Sequence, residues 1–430
     1  MFIKSLGLKN FRCFEDIKIG FNPEYSVIVG VNGSGKSTIL DALAKALGSY
    51  IAGFDGISSN GISAEDAHRK MYQLGSRIEA EPQFPVEISA NMDVDGTDIS
   101  WQRILERLKG RTLITPARSV MEYAKQFQEE IRKGNSSVIL PVVAYYGTGR
   151  LYMQKKDTAG EMTFTRTAGY ADCLDSASND KRMLKWFKLM TSIELQEGKK
   201  VPELEAVKRA MGMCYAGKDH PDNIAQFQYS LKSDEIEISY TDYKGDIERL
   251  PMHMLSDGLR VTLSMVADIA YRMAVLNPQL LDRTVAETPG IVLIDEVDMH
   301  LHPSWQKRIM DDLHYIFPKV QFIVTTHAPS ILANIKAEHI LLLEDGKVYS
   351  PNNTTYGRDI GDIMREMMKV NGRPEKVVEL QEHFYNVLDQ GDMSAAKRDL
   401  DELTNVLGEN DADVVKAKVA YDLETMGCIE

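Results

Sequence analysis

The sequence predicts an α/β fold: a mixed or parallel sheet flanked by helices, with a helical insertion and a C-terminal helical tail. Three observations carry this. The apolar run Tyr25-Ser-Val-Ile-Val29 leads through a glycine-rich loop into the Ala/Leu-rich stretch Thr38–Leu47, which is strand, loop and helix in order. Two more short apolar runs, Ile291–Ile294 and Gln321–Thr325, flank a helix expected over Ser304–Ile316, and such alternation builds parallel sheets. Residues 371–430 hold 14 acidic and 6 basic groups, most of the chain's net charge of −13. Helix-start signals there, Pro374 at a first helical position, Asp392 or Ser394, and Asp411 or Asp413, mark three helices of an acidic tail.

In order, the chain reads as strands at 2–8, 16–21 and 25–29, then the first helix. Residues 48–70 are Gly- and Ser-rich with little period, and 85–94 reads as a strand. Helices are expected over Trp101–Leu108 and Ser119–Lys133, and a buried strand over Val138–Tyr146 running into the loop Gly147–Arg150. Helices at 182–196 and 201–216 precede strands at 226–231 and 235–240 joined by a Lys-Ser-Asp turn, and an apolar helix follows Ser256 to about Val275. This organisation divides the chain into a split core (1–50 and 251–350), an insertion that partly completes it (51–250), and the tail (351–430).

Composition narrows the function classes. Hydrophobic residues make up 43% and charged residues 26%, which is the balance of a folded globular protein. No apolar run approaches the ~20 residues that span a bilayer, and the amino terminus lacks a signal-peptide pattern, so no membrane role and a cytoplasmic location are expected. Cys13, Cys173, Cys214 and Cys428 are scattered without C-x-x-C spacing and are expected to be free thiols. A pI near 5.3 repels nucleic acid, so any phosphate affinity has to be local.

One such place is Gly30-Val-Asn-Gly-Ser-Gly-Lys-Ser37. Small residues let successive N–H groups, including those of Asn32, Gly33, Ser34, Gly35 and Thr38, wrap a polyphosphate at a helix start; Lys36 neutralises phosphate oxygens and Ser37 binds Mg²⁺. Downstream, Ile291-Val-Leu-Ile-Asp295-Glu296 ends a strand in two carboxylates, one suited to a magnesium shell and one to a water acting as nucleophile. Taken singly, this is also how an ordinary strand ends in an acidic loop. His327 closes the strand 321–325, where a lone histidine usually serves structure. Leu255-Ser-Asp-Gly258 opens a helix, so Ser256 and Gly258 offer a second phosphate-binding helix end or a simple serine cap.

Together and in this order, the four elements resemble the ATPase heads of the ABC class, more narrowly its SMC/RecF-like branch, from Met1 to about Ser350. The opening Leu8-Lys-Asn-Phe-Arg12 and Val27–Ala42 are similar to that branch. The resemblance implies ATP and Mg²⁺, with Ser37 and Asp295 holding the metal, Glu296 and His327 catalytic, and Arg12 beside the nucleotide. It also implies a head-to-tail homodimer or higher oligomer in which Ser256 and Gly258 of one copy close the pocket of the other. Asp298–Gln306 is similar to the loop that meets the partner, although His300 and His302 also raise a metal site. Asp257 departs from the usual glycine of the signature and brings negative charge toward ATP. The glutamine-loop residue stays open among Asp66, Gln73 and Gln83.

Lys36 and Ser256 lie 220 residues apart without heptads, which excludes long coiled-coil arms. The stretches Leu140–Arg150, Gly169–Leu174 and Tyr356–Ile363, with the Ser-Asp-Gly-x-Arg signature, resemble compact anti-phage ATPases, above all the Septu ATPase subunits that work with a separate HNH nuclease. The expected function is therefore a slowly hydrolysing dimeric switch that controls a partner nuclease. Two alternatives stand beside it. One is a RecF-like repair ATPase that binds DNA through Arg107, Lys109, Arg111, Arg118, Lys125 and Arg132, and the other is a non-hydrolysing nucleotide sensor.

Overall fold

The computed structural model describes residues 1–57, 59–151, 165–176, 180–220, 224–241, 247–351 and 353–427. They form two compact units, Met1–Arg358 and Asp359–Glu430.

The first unit opens with β1 (Phe2–Phe11) and β2 (Phe14–Gly20), then β3 (Tyr25–Val29) and α1 (Lys36–Ile51). An exposed hairpin of β4 (Arg69–Leu74) and β5 (Arg77–Pro82) follows. Next, β6 (Val86–Val94) and β7 (Thr97–Leu105) join the first two strands in an antiparallel sheet of order β2-β1-β6-β7. After α2 (Arg118–Arg132) come β8 (Val142–Tyr146), α3 (Asp180–Glu197) and α4 (Pro202–Ala216). A small antiparallel sheet of β9 (Gln226–Ser230), β10 (Glu235–Thr241) and β11 (Ile247–Pro251) leads to the long α5 (Asp257–Leu276) and the short α6 (Thr284–Glu287). The unit closes with β12 (Gly290–Ile294), α7 (Pro303–Gln306), α8 (Ile309–Ile316), β13 (Val320–Thr325), α9 (Pro329–Leu332), β14 (Ile340–Glu344) and β15 (Lys347–Tyr349).

The sheet that matters for function has the order β15-β14-β3-β13-β12-β8, parallel throughout except at β15. Strands β3, β8, β12 and β13 are buried along their whole length, which is why they read as unbroken apolar runs rather than as alternation. Because the strands are parallel, their carboxyl ends lie along one edge. The loops after β3, β12 and β13 therefore all leave from that edge, where ligands bind in open α/β sheets.

Several expectations need correction. Trp101–Leu108 is not a helix: Trp101–Leu105 belongs to β7, paired with β6 through Trp101↔Ala90 and Leu105↔Val86. The helix over 304–316 is interrupted between Gln306 and Ile309, where the Arg308 guanidinium stacks 4.0 Å over Trp305. Cys13, Cys173 and Cys214 are free, as expected, and Cys428 lies outside the described residues.

The second unit contains α10 (Ile360–Met367), which had no sequence signal assigned to it, and α11 (Glu375–Asp389), α12 (Met393–Leu407) and α13 (Ala412–Gly427). Pro374 stands one place before the first turn of α11, and Asp392 caps α12 by accepting the Ala395 N–H. Val377, Phe384, Leu388, Leu400, Leu403 and Val414 close a core of their own. Arg373 ties the start of α11 to that of α13, its guanidinium donating to Asp411 at 2.8 Å and to Asp413 at 2.9 Å. Phe384 is fully buried, so Phe384→Ala is expected to cost about 3–5 kcal/mol and to open this unit to limited proteolysis while leaving nucleotide binding in place.

Candidate nucleotide site

The loop after β3 has the backbone that phosphate binding requires. Gly33 and Gly35 take φ values of 79° and 105°, which side chains rarely tolerate, and a Cβ on Gly35 would fall 2.6 Å from both Cys13 Sγ and Phe14 Cζ. As the N-cap of α1, Gly35 has no side chain to satisfy the first-turn amides, and that turn holds no acidic residue. The helix thus presents donors and the positive end of its dipole. Ser34 Oγ is buried without a hydrogen-bond partner among the described residues, while Ser37 is exposed in the first turn. This donor set fits a polyphosphate with its metal.

Lys36 is 7% exposed, and its Nζ donates to the carbonyls of Gly30 (2.9 Å) and Val31 (3.1 Å). Burial lowers its pKa below the ordinary lysine range, and the fields of Asp295, Glu296 and Asp298 offset part of that. Electrostatically, then, the loop after β3 and the acidic turn after β12 face one another.

That turn is held from the neighbouring strand. Thr325 Oγ1 donates to Asp295 Oδ1 at 2.6 Å and accepts the Glu296 N–H at 2.8 Å. The Asp295 N–H in turn donates to the Tyr146 carbonyl of β8 at 2.8 Å. Glu296 adopts φ 48°, an uncommon left-handed conformation for a residue with a side chain. One turn later, Asp298 Oδ1 accepts the Thr326 hydroxyl at 2.5 Å and the His327 N–H at 3.4 Å. Asp295, Glu296 and His327 are therefore brought together on adjacent strand ends, beside the loop that carries Asn32 to Thr38. The parts that sequence reading missed are Thr325 and Thr326, whose only signal was a pair of hydroxyls at the end of an apolar run.

Arg12 sits in the turn between β1 and β2 with φ 48°. Its guanidinium pairs with Asp41 of α1 and donates to Asp66 Oδ1 at 3.0 Å. Burial alone would raise the Asp66 carboxyl, but the Ser63 N–H, Lys45 and Arg12 outweigh it and hold Asp66 below the usual range. Neighbouring Cys13 and Phe14 lie against Gly35, so Arg12 is fixed at the flank of the phosphate loop. Of the residues left open as a glutamine-loop ligand, Asp66 is consumed in this network and Gln73 is exposed on β4; the Gln83 N–H donates to the His68 carbonyl at 2.7 Å.

Ser256 occupies the N-cap of α5, yet its side chain makes no capping bond and is exposed. A Cβ on Gly258 would fall 2.1 Å from the His300 carbonyl oxygen, so this glycine allows the helix start to abut the turn after Glu296. The negative charge of Asp257 is met by Arg260 at 2.7 Å. His302 caps α7 through its ring nitrogen and Ser304. Among the cations considered for DNA, Arg118 pairs with Glu122 and Arg132 with Asp55.

The chain is similar to known ATPases. A family model described as an AAA domain matches residues 5–215, and a second, described as "AAA domain, putative AbiEii toxin, Type IV TA system", matches residues 185–333. The chain is 24% identical to the "Retron Vc95 probable ATPase" of Vibrio cholerae serotype O1 biovar El Tor, over 92% of this chain and 85% of that protein. It is 25% identical to the "Retron Ec83 probable ATPase" of Escherichia coli, over 90% and 80%. Septu protein PtuA of Bacillus thuringiensis is 24% identical, over 90% and 89%. The chain is an ATPase, homologous over most of its length to Septu PtuA and to the retron ATPases.

Proposed function

We propose that this ATPase is a dimeric switch that controls a separate nuclease or comparable effector in bacterial anti-phage defence. The observation that supports it most is the meeting of Lys36, Asp295, Glu296 and His327 at the carboxyl edge of one parallel sheet. In this reading the amides of Asn32 to Lys36 wrap the β- and γ-phosphates, and Thr38 lines the rim. Ser37 and Asp295 hold Mg²⁺, which when bound neutralises phosphate oxygens. Glu296 takes the proton of the water that attacks the γ-phosphorus, and His327 meets the γ-phosphate from the side.

A phosphate loop covers only one side of a triphosphate, so charge developing on the other side needs donors from elsewhere. Ser256 and the N–H groups near Gly258 of a second copy supply them; the exposed Ser256 hydroxyl, uncommitted to capping, supports this role. The retron and Septu relatives support the defence setting, and exposed apolar positions of the acidic unit, Val406 and Leu423, offer contacts for the effector.

Size-exclusion chromatography with light scattering tests the switch. The purified chain is expected to shift from monomer to dimer mass with Mg²⁺ and ATP, and to return as ATP is consumed. A mass that ignores nucleotide removes the dimer. Co-purification with a neighbouring-gene product that survives deletion of residues 371–430 removes the tail as docking site.

A further inference from the structure

We propose that Thr325 and Thr326 are positioning residues of the ATPase reaction: two consecutive buried hydroxyls that clamp the acidic turn onto the His327 loop, Thr325 aiming Asp295 and Thr326 registering Asp298 with the His327 backbone. The inference rests on the ATPase reading and deepens it.

Both side chains are 0% exposed. A buried hydroxyl costs stability unless both its donor and its acceptor are used, and valine has nearly the same shape without that cost. The preceding residue in this strand is Val324, so the strand itself has no need of hydroxyls. What uses them is the neighbouring turn. Each threonine gives its single proton to a carboxylate and accepts one backbone N–H. Thr325 Oγ1 donates to Asp295 and accepts from Glu296, at 2.6 and 2.8 Å. Thr326 Oγ1 donates to Asp298 at 2.5 Å and accepts the Ala328 N–H at 3.0 Å. A further bond, from the Val297 N–H to the Thr325 carbonyl at 3.0 Å, makes the attachment bidentate on the backbone side.

The two hydroxyls do different work. The Thr325 bond holds the Asp295 carboxylate in one orientation, and it holds the N–H of Glu296, whose left-handed φ of 48° persists only where the surroundings over-determine it. Thr326 acts through Asp298, which also takes the His327 N–H, so the histidine and the glutamate keep one register across two strands. Losing the first loosens metal binding; losing the second misplaces the groups around the γ-phosphate.

The test uses full-length Thr325→Val, Thr326→Val, Thr325→Ser and Thr326→Ser. Three measurements are made: steady-state ATP hydrolysis, binding of a fluorescent ATP analogue across a Mg²⁺ titration, and thermal unfolding. Outer-shell partners of a metal site are worth about 10–100-fold. Thr325→Val is accordingly expected to raise the Mg²⁺ concentration for half-maximal analogue binding by about tenfold or more. Thr326→Val is expected to lower kcat by a similar factor with KM little changed. Each serine variant is expected to restore its own parameter, with melting temperatures near that of the parent protein. The clamp is overturned if the valine variants match the parent, if serine fails to rescue, or if both valine variants lose all parameters together with their melting temperature. If the unmodified protein binds nucleotide but never turns it over, the ATPase reading fails, and the Mg²⁺ titration of Thr325→Val still decides the metal-aiming half of the clamp.

Discussion

Glu296→Gln is expected to stop ATP turnover while leaving ATP binding intact, so that the variant accumulates as an ATP-bound dimer. Glutamine keeps the length of the side chain and the backbone N–H that Thr325 Oγ1 accepts at 2.8 Å, and it loses only the ability to take a proton. General-base catalysis contributes about 10²–10⁴-fold, so phosphate release should fall by that factor. Lys36→Ala should behave differently. Its ammonium, buried and held by the Gly30 and Val31 carbonyls, is the charge proposed to meet the phosphates, and removing it is expected to weaken nucleotide binding itself. Phosphate release and light scattering on the two variants separate base from phosphate contact. Unchanged turnover in Glu296→Gln would mean that Glu296 is no base and that the proton goes elsewhere.

The parts of this site that were legible in the sequence are those whose chemistry leaves a composition mark. Strands buried on both faces read as apolar runs, and a phosphate loop needs small residues at fixed spacing, so Tyr25–Ser37, Ile291–Glu296 and Gln321–His327 stood out. Trp101–Leu105 misled because Trp101, Ile104, Leu105 and Leu108 fall at the i, i+3, i+4, i+7 spacing of a helix. In the structure the inward positions of β7 alternate through Trp101, Arg103 and Leu105, while Leu108 is 54% exposed. The charge on Arg103 hid the alternation. That arginine is buried against the carbonyls of Lys45 and Asn60, which lie far from it in sequence. The β4–β5 hairpin left no pattern because its side chains are exposed on both faces. Thr325 and Thr326 went unassigned for a related reason: their roles depend on which strand lies alongside, and pairing between β12 and β13 joins segments thirty residues apart.

Asp268→Ala is expected to be the most destabilising single change in the first unit. Asp268 and Arg272 are each 8% exposed and lie one turn apart on α5, with Arg272 Nε donating to Asp268 Oδ2 at 2.7 Å. The same oxygen accepts the Tyr146 hydroxyl at 2.7 Å. Arg272 reaches on to the carbonyls of Gly169 and Ala171, both at 3.0 Å. Burial alone would lower the Arg272 pKa, but the Asp268 carboxylate outweighs it and keeps the guanidinium charged; burial and the same carboxylate both push the Tyr146 phenol up. Alanine would strand a buried cation and orphan a buried hydroxyl at once, and breaking such a pair costs about 3–5 kcal/mol. Urea denaturation should show this as a lower midpoint at unchanged slope. The damage should also reach the site, because the Tyr146 carbonyl accepts the Asp295 N–H. A double variant, Asp268→Leu with Arg272→Met, replaces the charges by apolar groups and should recover the part of the loss that comes from the stranded cation, while the Tyr146 hydroxyl and the Gly169 and Ala171 carbonyls stay without these partners. If Asp268→Ala instead melts with the parent protein, the pair is not isolated from water, and α5 is not locked to β8 through Tyr146.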